Sequence, residues 1–245
     1  MYKRQGIHTT FFGQGRLPQR PITAYLRELT KKGITFDYHN TMPFTIDGKL
    51  RSGVFELEGD VSSQYVTGLL FALPLLDGDS EIRMLSKLES KPYVDLTIAC
   101  LRHFGIAVQE TEQGYAVAGG QQYHACDLTV EGDYSQAAFF CVANALGSDI
   151  TLTNLNPESV QGDKKIVEIV REMCYNREQG LPAGFTVDAA DIPDLVPILA
   201  VLATFGTAPS SITGAHRLAI KESDRLASTA GLLNRLGGKV TATPD

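Results

Sequence analysis

The sequence lacks the features that mark several large classes of protein. Its 245 residues carry a formal net charge of −6, without the basic excess that a nucleic-acid-binding face requires. Its longest apolar runs, such as residues 195–205, are too short to cross a bilayer. No signal peptide opens the chain, so we expect a cytoplasmic location and no membrane or nucleic-acid partner. Residues 1–5 are polar, basic and unrelated to the rest of the chain, and we treat them as a leader of unknown origin.

Closely paired cysteines are also missing. Cys100, Cys126, Cys141 and Cys174 lack the short spacing of a zinc site, so free thiols and no metal are predicted. What is present, 43% hydrophobic and 20% charged residues, is typical of a globular protein with one large domain or two ordinary ones. The negative net charge still permits anionic substrates, because a few cations can dominate a cleft.

Internal repeats predict an α/β fold. Three segments, starting at Val54, Cys126 and Gly184, each show a short strand, a Gly/Ala-Asp turn, an apolar helix and another short strand. Amphipathic helices alternate with them, and they start near residues 20, 90, 160 and 221. The polar stretch 119–124 is the best loop between repeats. We therefore predict two domains, residues 1–130 and 131–245, with an uncertainty of several residues at the junction.

The turn before the first apolar helix is a candidate anion site. Gly59-Asp60 is followed by Ser62, Ser63 and Gln64, whose hydroxyls and amide would join the exposed N–H groups of a helix start. The simpler interpretation is that Asp60 or Ser62 only caps the helix. Two serines followed by a glutamine are more polar than capping requires.

Two other turns carry charges suited to proton transfer. Asp188, Asp191 and Asp194 precede a strongly apolar helix, where they either cap its start or supply a general base. If a helix begins at Lys221, then Lys221 and Arg225 lie on one face beside Glu222 and could hold a phosphorylated substrate. The alternative is a solvated face with a weak Glu222–Arg225 pair.

Cations also recur just before two of the amphipathic helices. Arg16 and Arg20 precede Pro21, and Ser90 and Lys91 precede Pro92 and Tyr93. Single surface cations usually interact only with water. Their recurrence at equivalent points of two repeats favours a shared rim that faces an anion.

Five ordered blocks of sequence then match something specific. From about Gly13 to the end, the chain resembles the 5-enolpyruvylshikimate-3-phosphate synthase family. The resemblance implies two domains built from βαβαββ units, an inside-out α/β barrel that is incomplete here. The blocks are VSSQYVTGLLFALPL, SKPYVDLTIACLRHFGI, VEGDYSQAAFF, DIPDLVPILAVLA and KESDRL.

The resemblance implies a role for each matched residue. Those expected to bind shikimate 3-phosphate, on the first-domain side, are Ser62, Ser63, Gln64, Ser90 and Tyr93. Phosphoenolpyruvate, assigned mainly to the second domain, would be held by Arg20 and Arg225. Asp194 would bind the shikimate hydroxyls and act as base, and Lys221 and Glu222 would handle protons. Some members carry a substrate-contacting Asn where this chain has Arg217, so the chain departs from the family pattern there.

The implied reaction transfers the enolpyruvyl group of phosphoenolpyruvate to the 5-hydroxyl of shikimate 3-phosphate, in the shikimate pathway of aromatic amino acid biosynthesis. It proceeds by addition and then elimination, and it needs no metal or organic cofactor. The whole enzyme is expected to be a monomer. Segments that the family carries before Gly13 and after Asp245 have no counterpart, so we expect a fragment with little activity alone.

Two other functions stay open at this point. A sister family transfers enolpyruvyl to UDP-N-acetylglucosamine with a similar fold, but it usually carries a reactive cysteine in a loop. None of the four cysteines here lies in a polar, glycine-rich loop. The other alternative is a non-catalytic repeat scaffold that binds an anion.

Overall fold

The computed structural model describes residues 6–221 and 223–244. These residues form two compact units, which divide between Asp127 and Leu128. The division falls slightly earlier than the junction near Glu131 that the sequence predicts. Among the described residues, no helix is long and apolar enough to cross a membrane.

The first unit begins with a small antiparallel sheet. Strands β1 (Thr9–Phe11) and β2 (Thr35–Asp37) flank β3 (Phe44–Asp47), and helix α1 (Thr23–Lys31) lies between β1 and β2 in the chain. Phe11 pairs with Phe44 in the register, and their rings stack with centroids 5.0 Å apart. Aromatic cross-strand pairs of this kind stabilise a short sheet that has few ladder hydrogen bonds.

The rest of the first unit is one complete βαβαββ repeat. Strands β4 and β5 are parallel, β7 runs antiparallel to β5, and β6 closes the order β4-β5-β7-β6. Helices α2 and α3 provide the two crossovers. The bounds are β4 Val54–Leu57, α2 Ser63–Ala72, β5 Ser80–Met84, α3 Lys91–His103, β6 Gln109–Thr111 and β7 Gly114–Val117. The core contains the fully buried side chains of Phe55, Leu70, Ile82 and Tyr115.

The second unit contains the later repeats. Among its described residues, the strands β8 (Thr186–Asp188) and β9 (Ser211–Thr213) pair in parallel. Four helices pack with them around a second core. The helices are α4 Tyr134–Ala145, α5 Ile166–Glu178, α6 Val196–Thr204 and α7 Arg225–Arg235.

Some predicted features of the second unit are wrong. Residues 126–132 and 148–154 are not strands. In the part of the chain described, a single backbone–backbone hydrogen bond joins them, from Gly132 N–H to the Asn154 carbonyl (2.7 Å), which is too few for a strand ladder. Although α4 is apolar, its Phe139 and Phe140 side chains are about half exposed. Helix α6, in contrast, has most of its apolar side chains buried.

A buried ion cluster connects α1 to β4. Glu28 is 1% exposed and accepts hydrogen bonds from Arg27 Nε (2.8 Å), Lys31 Nζ (2.9 Å) and the backbone N–H of Glu56 (3.1 Å). Arg27 also forms a two-pronged contact with the Glu58 carboxylate. Burial raises the pKa of Glu28, but these hydrogen bonds outweigh burial and hold the pKa below its usual value.

We therefore expect Glu28→Gln to destabilise the first unit by about 1–3 kcal/mol at pH 7, since a charged acceptor is lost inside a hydrogen-bonded cluster. Because the folded pKa is lowered, this stabilisation is present above the unfolded pKa of about 4.3 and disappears as the pH falls through the folded pKa. Urea unfolding at several pH values measures it. Glu81→Gln, which removes a half-exposed pair with Arg83, is the matched control with a smaller effect. Equal effects of the two changes would contradict this account.

Candidate active site

The start of α2 combines a capped helix with open polar groups. Ser62 is the N-cap, and its hydroxyl accepts a hydrogen bond from the Gln64 N–H (3.3 Å). Ser63 is 9% exposed and Gln64 is exposed. Neither side chain makes a hydrogen bond within the described residues, so both remain available to a ligand beside the helix N-terminus.

The turn before α2 packs tightly against the turn before α3. Gly59 N–H donates to Ser86 Oγ (2.9 Å), Ser86 Oγ donates to Asp60 (2.9 Å), and Glu89 N–H donates to the Gly59 carbonyl (3.1 Å). A Cβ on Gly59 would lie 2.5 Å from the Lys87 carbonyl oxygen, which leaves space for glycine alone. The two helix starts are therefore fixed next to each other.

Ser90 and Tyr93 lie at the start of α3. Ser90 is buried in a left-handed backbone conformation (φ 56°), and its carbonyl accepts from the Tyr93 N–H (3.1 Å). Thr97 and Thr67 join α3 to α2 through their hydroxyls, 3.1 Å apart. The structure thus brings Ser62, Ser63, Gln64, Ser90 and Tyr93 to the same end of two adjacent helices.

Lys91 does not fit the predicted anion-facing rim. Its ammonium lies 2.7 Å from the Asp95 carboxylate and 3.3 Å from that of Glu110. Burial lowers the pKa of Lys91, but these two carboxylates outweigh burial and raise it. The charge of Lys91 therefore stabilises the contact between α3 and β6.

Arg20 lies close to the first turn of α2. It follows the short 3-10 helix Leu17–Gln19, and the next residue, Pro21, accepts a hydrogen bond from the Tyr65 hydroxyl. Burial raises the pKa of Tyr65, and the positive charge of Arg20 opposes the shift. Tyr65 directly follows Gln64, so the segment with Arg20 is attached to the helix that carries the serines.

In the second unit, Asp194 and Arg225 form an ion pair. Asp194 lies in the single 3-10 turn Pro193–Leu195 before α6, and Arg225 is the first residue of α7. Arg225 Nη1 donates to Asp194 Oδ1 at 2.7 Å, with the side chains 31% and 41% exposed. The parallel pairing of β8 and β9 brings the two helix starts together. Asp188, in contrast, caps its own turn by accepting from the Ala190 N–H (2.9 Å).

The expected helix from Lys221 is wrong. Lys221 follows the 3-10 helix His216–Ile220 in an extended conformation, and α7 begins four residues later. Asp224 sets that beginning, because its carboxylate accepts from the Ala227 N–H (3.0 Å) as an N-cap. Lys221 and Arg225 therefore do not share a helical face. Glu222 lies outside the described residues.

Arg217 supports the turn that carries Asp194. It is 4% exposed, and its Nη2 donates to the Ala190 carbonyl (2.8 Å). A buried guanidinium bonded to the backbone holds the segment between Asp188 and Asp194. Its position in this structure indicates a supporting role.

Ser135 and Gln136 are not among the candidate residues that the sequence predicts, yet they lie beside the Asp194–Arg225 pair. Together with Phe139, Asp194, Pro197 and Arg225 they line a pocket of about 290 Å³. The sequence contains a pattern that could have indicated them. Residues 132–136, Gly-Asp-Tyr-Ser-Gln, repeat the Gly-Asp turn and the Ser-Gln pair found at residues 59–64.

Comparison with known proteins identifies the family. The family model for EPSP synthase (3-phosphoshikimate 1-carboxyvinyltransferase) matches residues 1–245. The chain belongs to the EPSP synthase family. The 3-phosphoshikimate 1-carboxyvinyltransferases of Clostridium kluyveri and Clostridium novyi are each 42% identical to it, over 98% and 96% of the chain. The chain spans 59% and 57% of the lengths of these relatives.

Solved structures confirm the fold of the EPSP synthase family. An EPSP synthase from Acinetobacter baumannii matches 99% of the chain with a TM-score of 0.71 at 22% identity, and the chain covers 59% of it. The enolpyruvyl transferase NikO from Streptomyces tendae matches 83% of the chain, which covers 52% of NikO, with a TM-score of 0.56 at 15% identity. The predicted α/β class is therefore confirmed. The names of the relatives do not favour the UDP-N-acetylglucosamine alternative.

The cysteines of this EPSP synthase family member are all free thiols. Burial raises the pKa of the Cys141 thiol, which keeps it protonated and unreactive at neutral pH. Over residues 6–221 and 223–244, no group of His, Cys, Asp or Glu is arranged to hold a metal ion.

We predict that Gly59→Ala loosens the contact between the α2 and α3 starts. The new methyl group would overlap the Lys87 backbone, and such overpacking costs about 1–3 kcal/mol. Amide hydrogen exchange should be faster at Glu89, whose N–H bonds to Gly59. Gly231→Ala in α7 is the control: its Cβ meets nothing within 4 Å, and the helix should gain up to about 1 kcal/mol. Unchanged exchange at Glu89 would show that the turns tolerate the methyl group.

Proposed function

We propose that this chain carries part of the active site of a 3-phosphoshikimate 1-carboxyvinyltransferase. The whole enzyme, which we propose to be a cytoplasmic monomer, transfers the enolpyruvyl group of phosphoenolpyruvate to the 5-hydroxyl of shikimate 3-phosphate and releases phosphate. The observation that carries the proposal is the pair of adjacent helix starts in the first unit, with the Ser63 hydroxyl and the Gln64 amide left open beside them.

The first unit provides the groups for shikimate 3-phosphate. Ser62, Ser63 and Gln64 offer neutral donors where the dipole of α2 favours an anion. Ser90 and Tyr93 border the same end of the helices. Neutral donors with a helix terminus can bind a phosphate without a local excess of cations, which suits a chain of net charge −6.

Arg20 and Arg225 are the proposed ligands of phosphoenolpyruvate. Arg20 lies next to the first turn of α2, and a guanidinium matches the planar geometry of a carboxylate or phosphate. Arg225 is paired with Asp194 in this structure. A substrate with about three negative charges would compete with the Asp194 carboxylate for Arg225, so we expect Arg225 to turn toward the substrate.

Three residues are proposed to carry the proton transfers of the reaction: Asp194, Lys221 and Glu222. Asp194 accepts the proton of the 5-hydroxyl while the oxygen of that hydroxyl attacks C2 of phosphoenolpyruvate. At the same time, C3 gains a proton from the pair Lys221 and Glu222. The tetrahedral intermediate then loses phosphate, which takes up the proton that Asp194 accepted, and a C3 proton, which returns to Lys221 and Glu222. The enol ether remains.

Ser63→Ala tests the shikimate 3-phosphate site. We define the extended chain as residues 1–245 joined to the flanking segments of the Clostridium kluyveri relative. Losing one hydrogen bond to a charged group costs about 1.5–3 kcal/mol, so Ser63→Ala should weaken binding at least tenfold. Titration calorimetry with shikimate 3-phosphate measures it.

Ser62→Ala is the comparison for Ser63→Ala, because it removes the helix cap and should also lower stability by about 1 kcal/mol. An unchanged affinity of Ser63→Ala for shikimate 3-phosphate would contradict the proposed site and leave the two serines with a structural role at the helix start. A wild-type extended chain that binds the ligand without turnover would favour the anion-binding scaffold.

Asp194→Ala and Glu222→Gln test the proton transfers in the extended chain. General acid–base groups typically contribute about 10²–10⁴-fold, so each change should lower kcat by that order. Glu222→Gln should keep the substrate affinity, because the amide preserves the shape of the side chain. The control is Glu178→Gln, at the exposed end of α5. A Glu222→Gln enzyme with normal kcat would exclude the assigned role.

A further inference from the structure

The pocket at the start of α4 contains a polar group to which no role has been assigned. Its apolar wall is formed by Phe139 and Pro197, and its charged wall by Asp194 and Arg225. Gln136 completes the lining with an exposed carboxamide. The pocket lies entirely within the second unit.

The start of α4 does not need Gln136 for capping. Asp133 accepts from the Ser135 N–H (2.8 Å) and from the Ser135 hydroxyl (2.7 Å). The Tyr134 N–H donates to Gln161 Oε1 (2.8 Å). Because these first N–H groups already have acceptors, a glutamine at position 136 is not needed to cap the start of the helix.

Gln136 also makes no hydrogen bond through its side chain in the described ranges. Gln161 shows the contrast, since its amide is fully used by Tyr134, Glu131 and the Gly132 carbonyl. Gln161 therefore serves the fold, whereas Gln136 keeps a donor and an acceptor open beside the ion pair.

We propose that Gln136 is a further substrate-binding and specificity-determining residue. It hydrogen-bonds the 4-hydroxyl of shikimate 3-phosphate, next to the 5-hydroxyl whose proton Asp194 accepts. This inference rests on the proposed function. A neutral amide both donates and accepts, as a hydroxyl does, so it suits a polyhydroxylated ring better than a phosphate or carboxylate. Arg225 and Asp194 bind charge and move a proton, and Gln136 fixes the orientation of the ring over Phe139.

Gln136→Ala in the extended chain should raise the KM for shikimate 3-phosphate about three- to tenfold, the range for one neutral hydrogen bond. The KM for phosphoenolpyruvate and kcat should stay the same, since the amide does not touch the reacting atoms. Gln179→Ala, an exposed glutamine after α5 in the same unit, is the matched control and should change none of these values.

An analogue of shikimate 3-phosphate without the 4-hydroxyl separates a direct contact from a structural effect. In the wild type, the analogue should bind about three- to tenfold more weakly than the parent compound. In Gln136→Ala this difference should become smaller, because one hydrogen-bond partner of the hydroxyl is already gone. An undiminished difference in the variant, or an unchanged KM, would overturn the inference while leaving the proposed function intact. A wild-type extended chain without turnover would overturn both.

Discussion

The parallel pairing of strands joined by a helix determines where each candidate residue of this chain lies. In the pairs β4–β5 and β8–β9, both strands end at the same edge, so the helices that come after them begin side by side. Gly59 reinforces this arrangement in the first unit through its contact with residues 86–89. The Asp194–Arg225 pair is the corresponding contact in the second unit. Polar residues far apart in sequence meet because their strands run the same way.

Five cations of the chain differ in what surrounds them. Arg27 and Lys91 each contact two carboxylates, so their charges stabilise contacts between elements of the first unit. Arg217 is buried and bonds to backbone. Arg20 and Arg225 lie near helix starts that carry polar side chains, and Arg225 also pairs with Asp194. Lys91 also lies at a helix start, but its two carboxylate partners, Asp95 and Glu110, use its charge to join α3 to β6.

The repeats use different chemistry for equivalent positions. Helix α2 is capped by Ser62, α4 by Asp133, and a 3-10 turn replaces a cap before α6. Because a serine caps α2 and an aspartate caps α4, the polar residues that follow the cap make different hydrogen bonds in the two helices. Ser63 keeps an open hydroxyl, whereas Ser135 is bound to its own cap and Gln136 becomes the open group. Near the ends of α4 and α7, Asn144 and Asn234 each exchange two hydrogen bonds with the backbone six residues further on, at Ile150 and Val240, so the two helices end with the same kind of contact.

The sequence alone determined the α/β class, the repeats and most of the candidate residues, because hydrophobic period, Gly-Asp turns and capping residues are local signals. It therefore predicted the starts of α2 and α3 and the polar residues at them. The tertiary structure decided the rest. It alone showed that Lys91 is held by Asp95 and Glu110, that Asp194 pairs with Arg225, and that Gln136 opens into their pocket. The choice of partner for a charged side chain depends on residues tens of positions away, and no local pattern encodes which of them the fold brings near.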